Sequence, residues 1–426
     1  MTDIIIYGKG KTGKSLYKML EKQNIKAVLY DDKTGFSEKN GFTENSVVLL
    51  SPGILPTAKG ITEAKKVGCK LISELEYCFP LCKGRVISVT GTNGKTTTCE
   101  MIRHILNYAD KSSRLLGNGG VPLSAEVLDV DKDEIVVLES SSFQLDNAKN
   151  FAPYISVFTN IACDHLDYHG NNENYVKAKL NNFIHQRSGY AIFNADDCNV
   201  AELSKFCQCT PLYYSLETDA NCRIENGKIN FVLDGKSFCV SSGCIDGYVK
   251  HNRYNALAAV LACVLAGVKA DIAVKALNTY KLLPHRMQFV GSIGGVCFVD
   301  DSKATNVHAT VSALGNYCEP LALILGGYSK SENFDGIFLN LRSNVITVAA
   351  SGDTAKEIAE CGAKYGVSVE CFEDISFATE FCFKSVQKHG GGIVLMSNAC
   401  SSFDKFGGYA ERGEYFCKVV ERLIRG

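Results

Sequence analysis

The 426-residue chain is 46% hydrophobic and carries 45 Lys+Arg against 46 Asp+Glu, for a formal net charge of -1, so it is long enough for two or three domains with cores of their own. That balance, with no basic tract and no interleaved aromatic stripe, excludes an electrostatic footprint for nucleic acid or an anionic membrane and points to small-molecule partners. The longest apolar stretch, Ala256 to Gly267, falls short of the roughly 20 residues that span a bilayer, and Met1 to Gly8 has no basic leader, so a cytoplasmic protein is expected. The 19 cysteines are odd in number, scattered and free of any C-x-x-C pair, which argues against a disulfide framework and against zinc; Cys207-Gln208-Cys209 reads as structural thiols in a reducing compartment.

The first segment opens with a short β-rich run, a glycine turn, an amphipathic helix, a second β-run and an acidic end, which predicts a β-α-β unit. Gly8, Gly10 and Gly13 satisfy G-x-G-x-x-G, and Asp31 lies near the spacing of a ribose-binding acid, so this turn alone is compatible with a dinucleotide or with any Rossmann-like turn. A second strand-to-loop transition follows at Ser46 to Ile54. A new strand, RVISVT, begins after Lys83-Gly84, and alternating strands and helices follow through EIVVLESSS, YISVFTNI, a helical stretch around Tyr175 to His185 and GYAIFNADD. Tyr213 to Tyr248 is less regular and open to antiparallel pairing, and the apolar helix NALAAVLACVLAG closes this unit. CFVDDS, LALILGG, NVITVAAS, SVECFED and GGIVLMS are candidate strands of a third unit. The economical reading is three α/β units with parallel sheets, divided at 1–83, 84–282 and 283–426.

RVISVT runs into GTNGKTT, a departure from the common G-x-x-x-x-G-K-[ST] phosphate loop, because Val89 stands where that pattern has its first glycine. The physics survives the shift. Gly91 and Gly94 allow a tight turn after a buried strand, the amides of Asn93 to Thr97 can face phosphate oxygens at a helix start, Lys95 supplies a positive charge and Thr96 a hydroxyl for a phosphate-bound cation.

GTNGKTT resembles the loop of the Mur ligase superfamily, the ATP-dependent amide-bond ligases of peptidoglycan and folate metabolism. SPGI at Ser51 to Ile54, LESSSFQLD at Leu138 to Asp146 and SNACSSFDKFGGYAERG at Ser397 to Gly413 are similar to its D-glutamate-adding members, whereas the D-N-P-R motif of the diamino-acid-adding ones is missing. The resemblance spans essentially the whole chain. It implies a three-domain α/β architecture: a Rossmann-like N-terminal domain for the nucleotide-sugar substrate, a central P-loop ATPase-like domain, and a Rossmann-like C-terminal domain that closes over both. The implied reaction activates the carboxylate of UDP-N-acetylmuramoyl-L-alanine with ATP to an acyl phosphate, which the amine of D-glutamate attacks. ATP and two Mg2+ ions are then expected, NAD and zinc are not, and a monomer is expected.

Carried over position by position, the resemblance implies ATP contacts from Gly91, Thr92, Asn93, Gly94, Lys95, Thr96, Thr97, Asn252, Asn255, Arg286 and Asp301. Glu139 ends an apolar run where a strand would present a hard oxygen to Mg2+, and Ser141 and Gln144 belong to the same implied site. Thr96, Glu139, His165 and Lys179 are the implied metal ligands. On residue types, Asp164, His165 and neighbours suggest zinc first, or a satisfied surface histidine; only the resemblance selects a second magnesium. It also selects Lys179 over Lys177 as the lysine that is carbamylated into an oxygen ligand. Lys95, His165, Lys179 and Lys303 are the implied catalytic set. The uridine diphosphate substrate is matched to Lys11, Thr12, Asp31, Asp32, Ser51, Gly53 and Asn118, and D-glutamate to Thr305, Lys330, Ser402, Phe403 and Tyr409. Asn398 stands where proline is common, Tyr328-Ser329 replaces an acidic–glycine pair, and Cys163 and Tyr168 alter the histidine motif.

Overall fold

Short runs of aliphatic and β-branched residues become the strands of three sheets in this computed structural model, which describes residues 3–37, 41–328 and 333–426. The chain divides into two units, Met1–Tyr280 and Lys281–Gly426. The first sheet contains β1 (Ile4–Tyr7), β2 (Ala27–Asp31), β3 (Gly35–Phe36), β4 (Val47–Leu50) and β5 (Lys70–Ser73), in the order β3-β2-β1-β4-β5. All pairings are parallel except β2 with β3. Because β1 lies between β2 and β4, the turns leaving these three strands open side by side at the carboxyl edge, the position where such sheets bind ligands.

The second sheet, also in the first unit, contains β6 (Arg85–Thr90), β7 (Ser113–Gly117), β8 (Ile135–Glu139), β9 (Ile155–Phe158), β10 (Tyr190–Asn194), β11 (Thr210–Ser215), β12 (Cys222–Glu225), β13 (Lys228–Leu233) and β14 (Lys236–Ser241). Its order is β14-β13-β12-β11-β10-β9-β6-β8-β7. β12, β13 and β14 form an antiparallel meander, joined by Asn226-Gly227 and Asp234-Gly235 turns whose residues all have positive φ, as tight hairpins require. The apolar stretch noted in the sequence forms most of the Lys250–Leu265 helix and runs two residues past its end; Ala256 to Cys263 are all fully buried against the Lys95–Tyr108 and Ala270–Leu277 helices. A helix apolar on every side belongs inside a core. A further apolar cluster joins Ile6, Leu16 and Leu49 of the first sheet layer to Val86, Leu116, Val136 and Leu138 of the second, so one continuous core holds both sheets in one unit.

In the second unit, β15 (Gln288–Ile293), β16 (Val296–Asp300), β17 (Leu321–Leu325), β18 (Val345–Ser351), β19 (Val369–Phe372) and β20 (Gly392–Met396) pair in the order β15-β16-β20-β17-β18-β19. Helices cover both faces through two separate apolar clusters. The sheets are mainly parallel, as the sequence reading has them, and each carries antiparallel strands at one edge; those of the second sheet, β12–β14, fall in the Tyr213 to Tyr248 stretch that the sequence left open to antiparallel pairing. β15 was not among the candidate strands: as an edge strand with Phe289 exposed it lacks the continuous buried run that marks an interior parallel strand. Among the described residues no helix is long and apolar enough to cross a membrane.

Candidate active site

The parallel registers Val89↔Glu139 and Thr90↔Phe158 bring the carboxyl ends of β6, β8 and β9 side by side, so the phosphate-loop sequence, Glu139 and Thr159-Asn160 meet at one edge of the second sheet. Gly91 (φ 144°) and Gly94 (φ 85°) are there for steric reasons: a Cβ would come within 2.0 Å of Thr159 Oγ1 at the first and 2.4 Å of Asn255 Oδ1 at the second. The loop is pinned from the β9 side. The Thr92 amide donates to the Asn160 carbonyl at 2.9 Å, the Asn93 amide donates to Asn160 Oδ1 at 2.9 Å, and Thr159 Oγ1 donates to the Asn93 carbonyl at 2.6 Å. Lys95 then opens the Lys95–Tyr108 helix, with half-buried Thr96 and buried Thr97 in its first turn.

Two lysines share one carbonyl at this loop. Lys95 Nζ donates to the carbonyls of Gly91 (2.9 Å) and Thr92 (2.8 Å), and Lys179 Nζ donates to that of Gly91 at 2.8 Å and to Thr90 Oγ1 at 3.4 Å. Lys179 sits on the Asn172–Leu180 helix, only 1% exposed, with its ammonium position 4.8 Å above the Tyr175 ring, whereas Lys177 on the same helix is exposed. Burial first, and Lys95 second, push the Lys179 amine well below the ordinary lysine value, opposed by Asp164 and Glu139. Tyr175 itself is buried and exchanges a 2.9 Å hydrogen bond with Thr92 Oγ1, tying that helix to the loop.

Glu139 is 4% exposed at the end of β8; Asn118 Nδ2 donates to its Oε1 at 3.2 Å, and a Cβ on Gly119 would lie 2.3 Å from its Oε2. Ser141 and Gln144 are taken up in a reciprocal capping box at the start of the Ser142–Asp146 helix. His165 caps a short helix with positive φ (55°), its ring 4.7 Å from that of Phe143 and its Nε2 3.8 Å from Asp164 Oδ2. Asn252 and Asn255 lie one turn apart in the buried helix. Asn255 Oδ1 accepts from Thr98 Oγ1 and its Nδ2 donates to Asn252 Oδ1, leaving Asn252 Nδ2 buried without a protein partner.

At the carboxyl edge of the first sheet, Lys11, Thr12, Asp31, Asp32, Ser51 and Gly53 occupy the three adjacent turns. Gly8 lies against Ser51, where a Cβ would come 2.8 Å from Oγ, and that Oγ is buried without a partner. Lys11 Nζ reaches the Gly120 carbonyl, two residues beyond Asn118. Asp31 accepts from the Lys33 amide. Asp32 accepts from the Tyr30 hydroxyl and from the Lys59 and Gly60 amides that begin the Lys59–Lys66 helix; burial raises its carboxyl, but these donors together with Tyr7 outweigh burial and hold it below the usual range.

In the second unit, Asp301 follows β16 and is buried; burial pushes its carboxyl up to about 7 although Ser397 Oγ and the Met287 amide donate to it. Arg286 is half-buried and its charge acts on Asp301. Lys303 Nζ lies 4.1 Å over the Tyr409 ring. Thr305 is half-buried, Ser402 buried and Phe403 67% exposed; Lys330 lies outside the described residues. The sequence reading passed over two features here, the burial of Arg412 and the pairing of His285 with Asp300. Arg412, buried and without a carboxylate partner among the described residues, donates to Ser302 Oγ and to the carbonyls of Ser302, Gly326, Cys400 and Ser401, and so fixes three loops at once. His285 Nδ1 and Asp300 Oδ2 share a 2.6 Å hydrogen bond with Cys417 beside them. Asn398, at the position where proline was expected, is fully buried with both amide atoms unpartnered. Arg412 and Cys417 lie within or just beyond a stretch already singled out; a lone arginine among polar residues gave no signal of burial.

Residues 89–263 match the Mur ligase middle domain, and residues 285–400 match the Mur ligase, glutamate ligase domain. A UDP-N-acetylmuramoylalanine--D-glutamate ligase from Thermoanaerobacter sp. (strain X514) is 32% identical over 99% of this chain and 98% of its own length. The chain belongs to the Mur ligase family. Solved structures agree on the fold of this Mur ligase: a pseudomurein peptide ligase type C from Methanothermus fervidus (TM-score 0.62, 19% identity, 99% of this chain and 100% of that one) and the MurF ligase from Thermotoga maritima in complex with ADP (TM-score 0.60, 19% identity, 90% and 96%).

Proposed function

We propose that this Mur ligase joins D-glutamate to UDP-N-acetylmuramoyl-L-alanine in an ATP-dependent reaction through an acyl phosphate, as a cytoplasmic monomer. The observation that carries the substrate assignment is the 32% identity, over almost the full length of both chains, to a ligase of that name. The ATP assignment is supported by the loop itself, whose glycines lie where a side chain would clash and whose amides open a helix.

The residues of the first unit suit a triphosphate and divalent cations. Lys95 now spends its hydrogen bonds on two carbonyls of its own loop, which a phosphate would compete for, and the unpaired Asn252 Nδ2 offers a buried donor for the nucleotide. Glu139, Thr96 and His165 would hold Mg2+, with Lys179 joining them once carbamylated; the ions would neutralise the charge that builds where carboxylate and phosphate meet. The neutral amine is the form of lysine that can add carbon dioxide, and burial shifts Lys179 toward it, which is why Lys179 rather than exposed Lys177 fits this part.

In this reading Lys95 orients the transferred phosphoryl group, Tyr175 and Asn160 keep the loop in register, and Asn255 with Gly91, Thr92, Asn93, Gly94 and Thr97 shapes the nucleotide cradle. Lys11, Thr12, Asp31, Asp32, Ser51, Gly53 and Asn118 take the uridine diphosphate substrate; the unpartnered Ser51 Oγ is the donor best disposed for it. Asp32 already serves a helix start, so its part is to shape the turn. Arg286, Asp301 and Lys303 are assigned to ATP and the reacting groups, and Thr305, Lys330, Ser402, Phe403 and Tyr409 to D-glutamate. The division 1–83, 84–282 and 283–426 is the matching proposal for domains.

The test is phosphate release from ATP and Mg2+ with UDP-N-acetylmuramoyl-L-alanine and D-glutamate added singly and together, with L-glutamate, L-lysine and diaminopimelate as alternative acceptors. Release that needs both named substrates is expected. Release with another acceptor would reassign the substrate, and none with any acceptor would remove the ligase reading.

A further inference from the structure

Cys207 and Cys209 flank one residue between the Ser204–Phe206 turn and β11, and their sulfurs are 3.4 Å apart. A thiol pair this close needs little backbone movement to form a bond. Both are half-buried and pack on the cluster of Phe158, Phe183 and Phe193. That same cluster takes Val176 and Leu180 from the helix that carries Lys179, so the pair adjoins a load-carrying layer of the central sheet.

The surroundings separate the two thiols chemically. The hydrogen bond between the two sulfurs, in which either can donate, lowers Cys207 to about 7 and raises Cys209. Elsewhere burial pushes thiols up, as at Cys78, Cys99, Cys222, Cys263 and Cys382. The charged groups of the preceding helix and turn, Glu202 and Lys205, pair with each other, and Tyr213 of β11 donates to Ser204 Oγ, so Cys209 is the group that acts on Cys207.

We propose that Cys207 and Cys209 form a reversible thiol–disulfide modification site, with Cys207 the attacking and Cys209 the resolving sulfur, opened and closed by exchange with a low-molecular-weight disulfide. The Cys207 thiolate attacks one sulfur of the small disulfide, forming a mixed disulfide and expelling one small thiolate. Cys209 then loses its proton to solvent and attacks Cys207 Sγ, forming the intramolecular bond and expelling the second thiolate. Two protein thiols are oxidised, and one small disulfide is reduced to two thiols. This differs from the sequence reading of the pair as structural thiols.

A thiol at about 7 has roughly sixteenfold more thiolate at pH 7 than an ordinary one at about 8.5, offset by about fivefold lower intrinsic nucleophilicity, so Cys207 should react about threefold faster than an ordinary exposed thiol. The experiment equilibrates the whole reduced protein with mixtures of oxidised and reduced glutathione, quenches with acid, alkylates the remaining thiols and maps them by mass spectrometry. Cys207 and Cys209 are expected to lose alkylation together, in a peptide two hydrogens lighter and without bound glutathione, while exposed Cys198, Cys239 and Cys318 stay alkylated or carry glutathione. Cys209→Ser should trap glutathione on Cys207, and Cys207→Ser should leave Cys209 alkylated. The proposal is overturned if the wild-type pair stays alkylated in oxidising mixtures, if Cys207→Ser still traps glutathione on Cys209, or if initial alkylation of wild-type Cys207 at pH 7 is no faster than that of Cys198. The last measurement needs no variant to fold.

Discussion

Lys179→Met should separate activity from stability in opposite directions. The lysine is 1% exposed, and the replacement loses its 2.8 Å bond to Gly91, the weaker one to Thr90 and the contact over Tyr175. Each hydrogen bond is worth about 1 kcal/mol net and the ring contact about as much. Gly91 keeps Lys95 as a donor, so no carbonyl is stranded. Against that loss stands the removal of a desolvated amine beside a second lysine, a penalty of several kcal/mol per buried ion, while methionine refills a similar volume at about 1 kcal/mol or less. The balance is a gain on the order of 1 kcal/mol, or a Tm rise of about 2–4 °C for a unit of this size. Phosphate release should meanwhile fall about a hundred- to a thousandfold, the usual effect of deleting a group that stabilises charge at the reacting centre. Differential scanning calorimetry and the phosphate assay on the same preparation decide it. A Tm lower by several degrees, or undiminished phosphate release, would refute the view of Lys179 as a functional group held at a cost in stability.

Two further outcomes concern the second unit. Arg412→Met should cost about 3–5 kcal/mol, because it strands the buried carbonyls of Ser302, Gly326 and Cys400, while that of Ser401 keeps the Tyr328 amide; Arg412→Lys should recover little, since three rotatable donors cannot reproduce a planar fork, and an Arg412→Lys protein with an unchanged urea midpoint would contradict this. The Asp301 carboxyl, pushed up to about 7 by burial, lies above the unfolded value of about 3.9, so folding favours its protonated form: the stability it supports is full below about pH 4 and is lost as pH rises through 7. Urea unfolding across that window should therefore show a downward slope that Asp301→Asn removes; equal slopes would exclude it.

Much of the fold could be read from pattern. Interior parallel strands such as LALIL and IVVL are buried on both faces and announce themselves as continuous apolar runs, and the glycine turns follow from backbone geometry. The edges were harder. β15 buries none of its six residues fully, and the β12–β14 meander could have been recognised from its Asn-Gly and Asp-Gly turns, which are stronger local signals than the strands they join. At the site, spacing brought out Gly91, Gly94 and Lys95, and the choice of Lys179 over Lys177 came from resemblance; burial then distinguishes them physically. Arg412 and the His285–Asp300 pair were illegible because their meaning lies in partners 11 to 110 residues away along the chain, which no local pattern encodes.

The central claim is that ATP activates the substrate carboxylate before the amine attacks. UDP-N-acetylmuramoyl-L-alanine labelled with heavy oxygen in its free carboxylate, incubated with this enzyme, ATP, Mg2+ and D-glutamate, tests it most directly by mass analysis of the released phosphate. The account predicts one labelled oxygen in the phosphate for each amide formed, because that oxygen leaves with the phosphoryl group. Amide formation accompanied by unlabelled phosphate would contradict it.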